Sequence, residues 1–231
     1  MPSPYTGQGL AVGRRHDGAW VVAYWITARS ARSHNRVLEE RASEVATVPL
    51  DVSRPHDPYT LYPALRWARD HAVVGNGAHV QDVTRALTSG RDWRRALAAH
   101  RYAPDAPYYT PRVVGVLRFH DHAPRITLAK VRRVADSELA AHAFYEYADV
   151  PEGAAMTLST YDGASEPRDN AGDPLLVKLG ASATEIGETL WRTLDPTLAV
   201  GALVQVFGPL GERRELWLRN AHAEAAEHAA E

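Results

Sequence analysis

The chain has 231 residues, 45% hydrophobic and 23% charged, which suits one soluble globular unit with a substantial core and is too short to argue for two full domains. Its 26 Lys+Arg against 28 Asp+Glu give a formal net charge of -2, without the strongly basic footprint of a nucleic-acid-binding protein. The absence of cysteine excludes a disulfide scaffold, a thiolate nucleophile and any Cys-ligated zinc or iron–sulfur site.

No apolar run approaches the roughly 18 to 20 residues of a membrane span, and the N-terminus MPSPYTGQG lacks the basic and apolar regions of a signal peptide. The expectation is a cytoplasmic protein with neither membrane nor nucleic acid as a partner; homo-oligomerisation stays open. Eleven histidines are the compositional feature that invites metal or proton chemistry.

In chain order, Leu10 to Gly13 and the β-branched, aromatic run Ala19 to Ile26, joined through Asp17-Gly18, read as an opening hairpin. The polar loop ARSARSHNR follows at residues 28–36. Strands are expected at Glu44 to Leu50, Ala64 to Ala68 and Ala72 to Gly75. After Asn76-Gly77 the period becomes helical: Val80, Val83 and Leu87 share a face, Gly90 closes that helix, and Asp92 caps a second carrying Trp93 and Leu97. Pro104 and Pro107 mark a loop. Val113 to Phe119 and Ile126 to Val131 form another expected hairpin, and Met156 to Tyr161 a further strand.

Residues 162–180, rich in Gly, Pro, Asp and Asn, read as a long loop, either lid or surface insertion. Ser182 with Glu185 has the capping-box spacing ahead of Ile186, Leu190 and Leu194. Val200 to Phe207 and Glu215 to Leu218 close the fold as strands. The tail AHAEAAEHAAE has no apolar stripe, so residues 1–220 read as one domain and 221–231 as a disordered tail. Hairpins predominate and helices cluster, which argues for an α+β fold with mostly antiparallel sheets.

Arg29, Arg32 and Arg36, with Ser30, Ser33 and Asn35, form the best candidate anion site, because guanidinium forks and hydroxyls can share the oxygens of one phosphate. A solvated loop is the alternative. Gly75, Asn76, Gly77 and His79 sit between a strand and a helix, where glycines permit close backbone approach; taken by itself, a plain turn is the better explanation of the segment. His120-Asp121-His122 contains metal-ligand types but reads as a polar turn without further ligands in register. No GxSxG, HExxH or Walker motif is present. Tyr24, Tyr59, Tyr62, Tyr102, Tyr108, Tyr109 and Tyr161 lie near expected strand ends or loops, able to stack on a base or to serve as core.

Taken together, YTGQGLAVG (5–13), VAY (22–24), RS (29–30), NR (35–36), EER (39–41), DPYTLY (57–62), AVVGNGAH (72–79), TPR (110–112) and STYD (159–162) resemble the archaeal-type inosine monophosphate (IMP) cyclohydrolase family in order and spacing. The resemblance implies a four-layer α-β-β-α sandwich similar to N-terminal nucleophile hydrolases, and no metal or redox cofactor. It also implies closure of the purine ring: the carboxamide nitrogen of a formamido-imidazole-carboxamide ribonucleotide attacks its own formyl carbon, and water leaves. Arg36 and Tyr62 fall on family positions at the reacting end of the nucleotide. Arg29, Ser30, Asn35, Asn76, Gly77, His79 and Arg112 fall on positions that hold phosphate, ribose or carboxamide.

The sequence departs from the family at Gln8, where an arginine is usual, and at Ala103, where the family has a catalytic glutamate; Asp105 lies two residues on. The loop from Arg29 to Asn35 is about two residues longer, and 162–180 is expanded. These departures leave two alternatives to purine ring closure: a redirected cyclodehydratase or amide hydrolase, and a non-catalytic purine-nucleotide-binding protein.

Overall fold

The computed structural model describes residues 5–120, 125–163 and 168–222. One antiparallel sheet is built from β1 (Gln8–Arg14), β2 (Trp20–Thr27), β10 (Ala154–Ser159), β11 (Leu175–Lys178), β12 (Ala199–Phe207) and β13 (Arg213–Asn220), in the order β11-β10-β1-β2-β12-β13. The other runs in chain order through β3 (Val37–Arg41), β4 (Glu44–Val48), β5 (Pro63–Trp67), β6 (His71–Gly75), β7 (Arg112–Arg118), β8 (Ile126–Arg133) and β9 (Ala140–Tyr147). Four α-helices, α1 (Ala31–His34), α2 (His79–Thr88), α3 (Trp93–Ala98) and α4 (Ala183–Thr193), and one 3-10 turn at Pro58–Thr60 complete the described elements. The fold is therefore α+β with antiparallel sheets.

Strand β2, WVVAYWIT, is buried along its whole length because both of its faces are covered. Trp20, Val22, Tyr24 and Ile26 point into an apolar cluster that also takes Leu10 and Val12 from β1 and Val74, Leu117 and Leu128 from the opposite sheet. The intervening Val21 and Ala23 face outward, where Ile186 of α4 joins them. In the second sheet the same alternation sends Val113 and Leu117 inward and Val114 and Val116 outward, onto Val80, Val83, Trp93 and Leu97 of α2 and α3. Period-two alternation thus loads each central strand for two interfaces at once. Gly115 of β7 faces β1 of the other sheet at close quarters: a Cβ there would come to 3.0 Å from Val12 and 3.3 Å from Leu10.

The helices start and stop where their caps dictate. Asp92 accepts from the Arg94 amide at 3.0 Å, Gly90 leaves α2 at a φ of +65°, and Ser182 accepts from the Glu185 amide at 3.1 Å while Glu185 reaches back to Ala181.

Three strands lie outside the sequence expectations, and each is the edge of a sheet or next to a charged turn. β3 carries Glu39, Glu40 and Arg41, β9 has no fully buried residue, and all four residues of β11 are exposed. Edge strands have no obligatory apolar face, so they leave little periodic signal. The expected loop 162–180 accordingly contains β11, paired with β10, and a bridge between Tyr161 and Asp169. The loop 28–36 contains the one-turn helix α1, with Ser30 accepting from the Ser33 amide. Tyr24, expected near a strand end, lies well within β2 and is wholly buried. Asp121, His122 and most of the tail lie outside the described residues. Among the described residues no helix is long and apolar enough to cross a membrane.

Packing between the sheets makes a direct prediction. Leu128→Ala opens a cavity in the inter-sheet cluster and lowers the stability of the fold by about 2–5 kcal/mol. Leu210→Ala, at an exposed position, changes it by less than about 0.5 kcal/mol in the same urea titration.

Candidate active site

Antiparallel pairing brings the ends of β2, β6 and β10 and the starts of β1, β3, β5 and β7 to one end of the sandwich. There a cavity of about 330 Å³ opens, a size suited to a small-molecule ligand. Six of the nine site residues expected from the sequence line it: Arg29, Ser30, Arg36, Tyr62, Asn76 and Arg112. Asn35, Gly77 and His79 stand behind the wall, and Arg32 does not reach it.

Arg36 and Arg112 are the deep cations. Arg36 is 2% exposed, donates from Nη1 to the Thr60 carbonyl at 3.3 Å, and leaves Nε without a hydrogen-bond partner. Arg112 donates to the Asn76 carbonyl at 3.3 Å, and its Nε is likewise buried and unpartnered. Neither forms an ion pair with a carboxylate among the described residues. Burial lowers the Arg112 pKa from its ordinary value, which measures how poorly that charge is solvated. Guanidinium groups held this way are ready to receive an anion or a developing negative charge.

Arg29 is different. It is exposed at the mouth, its guanidinium 4.7 Å from the Tyr5 ring centre and 5.1 Å from that of Tyr108, so two aromatic faces steady it without neutralising it.

Tyr62 and Tyr24 share a hydrogen bond of 2.9 Å between their hydroxyls, linking the loop before β5 to the middle of β2 across the core. Thr47 fixes the Tyr62 backbone: its hydroxyl oxygen accepts from the Tyr62 amide at 2.8 Å, and its own amide donates to the Tyr62 carbonyl at 2.9 Å. Burial holds the Tyr24 phenol neutral, its pKa well above the usual value.

The residues behind the wall set these groups in place. Asn76 Nδ2 donates to the Pro111 carbonyl at 2.8 Å and Oδ1 accepts from the Val113 amide at 2.8 Å, clamping the segment that carries Arg112. At Gly77 a Cβ would collide with Arg112 Nη1, so the glycine makes room for that guanidinium. Asn35 and Asp51 exchange backbone–amide bonds of 2.9 Å, closing the loop that leads into Arg36. His79 points its Nε2 at the Val113 carbonyl at 3.0 Å, which requires the proton on Nε2. Burial, with Arg112 adding to it, pushes the imidazole pKa down to about 3. The ring is neutral and supplies no positive charge to a ligand.

The cavity also contains Tyr5, Gln8, Asp57, Tyr59, Asp105, Tyr108, Thr110 and Tyr161. Several stood in the tyrosine set or in the quoted motifs, but only the topology brings the N-terminal segment, residues 103–111 and the end of β10 together. Ala103 is on the wall, 6% exposed, with its amide donating to the Thr110 carbonyl at 2.8 Å. Asp57 is engaged as the cap of the turn Pro58–Thr60, accepting from the Tyr59 amide at 2.9 Å. Tyr109, with Arg132 and Arg133, faces a second, neighbouring cavity. Among the described residues no three His, Asp or Glu side chains are grouped to hold a metal ion.

Residues 5–208 match the family profile described as IMP cyclohydrolase-like protein. The chain belongs to the IMP cyclohydrolase-like family. It is 34% identical over 193 residues to the IMP cyclohydrolase of Halobacterium salinarum, covering 80% of this chain and 94% of that protein. With the IMP cyclohydrolase of Methanothrix thermoacetophila it shares 30% identity over 192 residues, 81% of this chain and 85% of the relative.

The buried neutral imidazole has a measurable consequence. The unfolded chain takes up a proton on His79 near pH 6.5, whereas the folded protein resists until about pH 3. The His79 contribution to stability is therefore present above pH 6.5 and is lost as the pH drops below it, by up to about 1.4 kcal/mol per unit. Urea unfolding at pH 7 and pH 5 is expected to show a loss about 1–2 kcal/mol larger for the wild type than for His79→Gln.

Proposed function

We propose that the protein closes the purine ring, converting a formamido-imidazole-carboxamide ribonucleotide to IMP and water. The observation that carries this reading is the pair of guanidiniums, buried Arg36 and half-buried Arg112, facing one cavity without carboxylate partners among the described residues and beside the hydrogen-bonded phenols of Tyr62 and Tyr24. The relatives' name, IMP cyclohydrolase, supplies the purine nucleotide.

The reaction makes three demands. An amide nitrogen is a weak nucleophile and must be held against the formyl carbon; negative charge then develops on the formyl oxygen; finally that oxygen must depart as water. In the proposed site Arg36 stabilises the developing oxyanion, since its guanidinium is desolvated and its Nε has no competing acceptor. Tyr62, whose backbone Thr47 fixes, orients the reacting group and takes part in the proton transfers. Arg112 and the Asn76 that clamps it hold the carboxamide end. Arg29 and Ser30, at the exposed mouth, receive the phosphate, where its charge remains partly hydrated. Asn35, Gly77 and His79 act from behind, through the groups they position. The substrate is a phosphorylated imidazole, the product a purine nucleotide, and none of these steps calls for a cofactor.

The stacking of α4, two sheets, and α2 with α3 supports a four-layer α-β-β-α sandwich of the kind found in N-terminal nucleophile hydrolases, with residues 1–220 as a single domain. A phosphorylated nucleotide substrate fits a cytoplasmic location.

A second reading, a redirected cyclodehydratase or amide hydrolase, is favoured by one observation: Ala103, where the family has a catalytic glutamate, lies on the cavity wall and brings no acid to it. Ala103→Glu separates the two. A gain of tenfold or more in IMP formation favours ring closure, whereas an unchanged rate favours redirection.

The main reading is tested by supplying the formylated nucleotide to purified protein and following IMP formation. The expected result is turnover well above the uncatalysed rate, reduced about 10²–10³-fold in kcat by Arg36→Ala. Arg36→Lys recovers only part of the loss, since the planar fork is gone. IMP formation no faster than in buffer overturns the reading.

A further inference from the structure

Resting on the purine ring-closing reading, a second set of groups in the cavity has a defined hydrogen-bond polarity. Asp105 Oδ1 accepts from the Thr110 amide at 2.7 Å, and its Oδ2 accepts from the Thr110 hydroxyl. The Thr110 oxygen lies 2.8 Å from the Tyr161 hydroxyl. A carboxylate can only accept, so the single hydroxyl proton of Thr110 is directed to Asp105. Thr110 Oγ1 is then an acceptor, and the bond to Tyr161 must be donated by the phenol. The phenolic proton being engaged there, what Tyr161 turns toward the cavity is a lone pair.

We propose that Asp105, acting through Thr110, fixes Tyr161 as a hydrogen-bond acceptor, and that Tyr161 receives an N–H of the substrate carboxamide, the same nitrogen that carries N1–H in IMP. An acceptor is the wrong group for phosphate, which is itself all acceptor at neutral pH, and the right one for an amide N–H. Accepting that N–H orients the nitrogen toward the formyl carbon and selects a carboxamide over a carboxylate. Burial, the main cause, raises the Tyr161 pKa, so the phenol stays neutral and keeps its proton for Thr110. The ring is also held in place, stacked on Tyr5 with centroids 5.5 Å apart. Asp105 is thus a positioning residue, and Tyr161 the group that touches the substrate.

The polarity can be reversed without changing shape. In Asp105→Asn the side-chain amide donates to Thr110 Oγ1, Thr110 donates to Tyr161, and the phenolic proton turns into the cavity. Calorimetric dissociation constants for IMP, which has N1–H, and for adenosine monophosphate, whose N1 is a bare acceptor, read this directly. The wild type is expected to prefer IMP by roughly tenfold or more, about one well-placed hydrogen bond in a desolvated site. Asp105→Asn brings the ratio to near unity or below. Tyr161→Phe also abolishes the preference while keeping the stacked ring, and Asp105→Asn adds nothing to it in the double variant. Thr110→Ser, which retains the hydroxyl, keeps the preference. In turnover, Asp105→Asn is expected to lower kcat more than it raises KM.

An unchanged IMP preference in Asp105→Asn, in a protein that still binds and forms IMP, overturns this inference and leaves the ring-closing reading intact. A wild type that binds neither nucleotide and forms no IMP overturns both.

Discussion

The face-to-face contact of the two sheets is the constraint on which the rest depends. Because Leu10, Val12, Tyr24, Val74, Leu117 and Leu128 meet in one cluster, the central strands β1, β2, β6, β7 and β8 must present an apolar residue inward at every second position. Their outward residues are apolar too, and α2, α3 and α4 are the covers those residues require. Little of a central strand is left for polar chemistry: Lys130 of β8 is buried and already paired with Asp169 at 3.2 Å. Function is pushed to the strand ends, and antiparallel pairing gathers seven such ends at one side. The cavity is therefore a consequence of the packing, lined by the residues at which each strand stops being core.

Depth then sorts the cations. A guanidinium buried without a carboxylate partner is unfavourable in the unliganded fold, and Arg36 and Arg112 are tolerated because neighbouring carbonyls take some of their donors. The unpartnered Nε atoms retain a demand for negative charge that water does not meet. Arg29, at the surface between two tyrosine rings, has no such demand and suits a dianion that should remain partly hydrated. The same side-chain type thus performs two tasks, one of transient charge and one of permanent charge, distinguished by solvent access alone.

How far the sequence revealed this follows the same physics. Doubly buried strands such as β2 and β7 and capped helices such as α3 and α4 were legible, because their patterns answer to the core and to Asp92 and Ser182. β3, β9 and β11 were not, since an edge strand is free to be charged, half-exposed or wholly exposed. The candidate site was legible where motifs lie next to strand ends: Arg29, Ser30, Arg36, Tyr62, Asn76 and Arg112 converge on one cavity. The positions of Asn35, Gly77 and His79 behind that wall depend on which way a side chain turns at the end of β6 or after α1, and spacing along the chain does not encode that. The approach of Asp105, Thr110 and Tyr161 spans more than fifty residues and appears only once β10 is seen beside β1.

The histidines illustrate the difference between composition and environment. Eleven of them invited metal or proton chemistry, yet burial lowers the pKa of both His71 and His79, and His79 is spent on a backbone carbonyl. A histidine works as a proton shuttle only where both of its charge states are solvated or paired. Around this cavity burial removes that option. What the cavity offers instead is three arginines and a set of phenols, of which burial holds Tyr161 and Tyr5 more firmly neutral, as it does Tyr24 behind Tyr62. Apart from Tyr62, these groups act by fixed polarity rather than by exchanging protons with the substrate. That suits a reaction in which nucleophile, electrophile and both protons of the departing water already belong to one substrate, and the protein has chiefly to hold them in order.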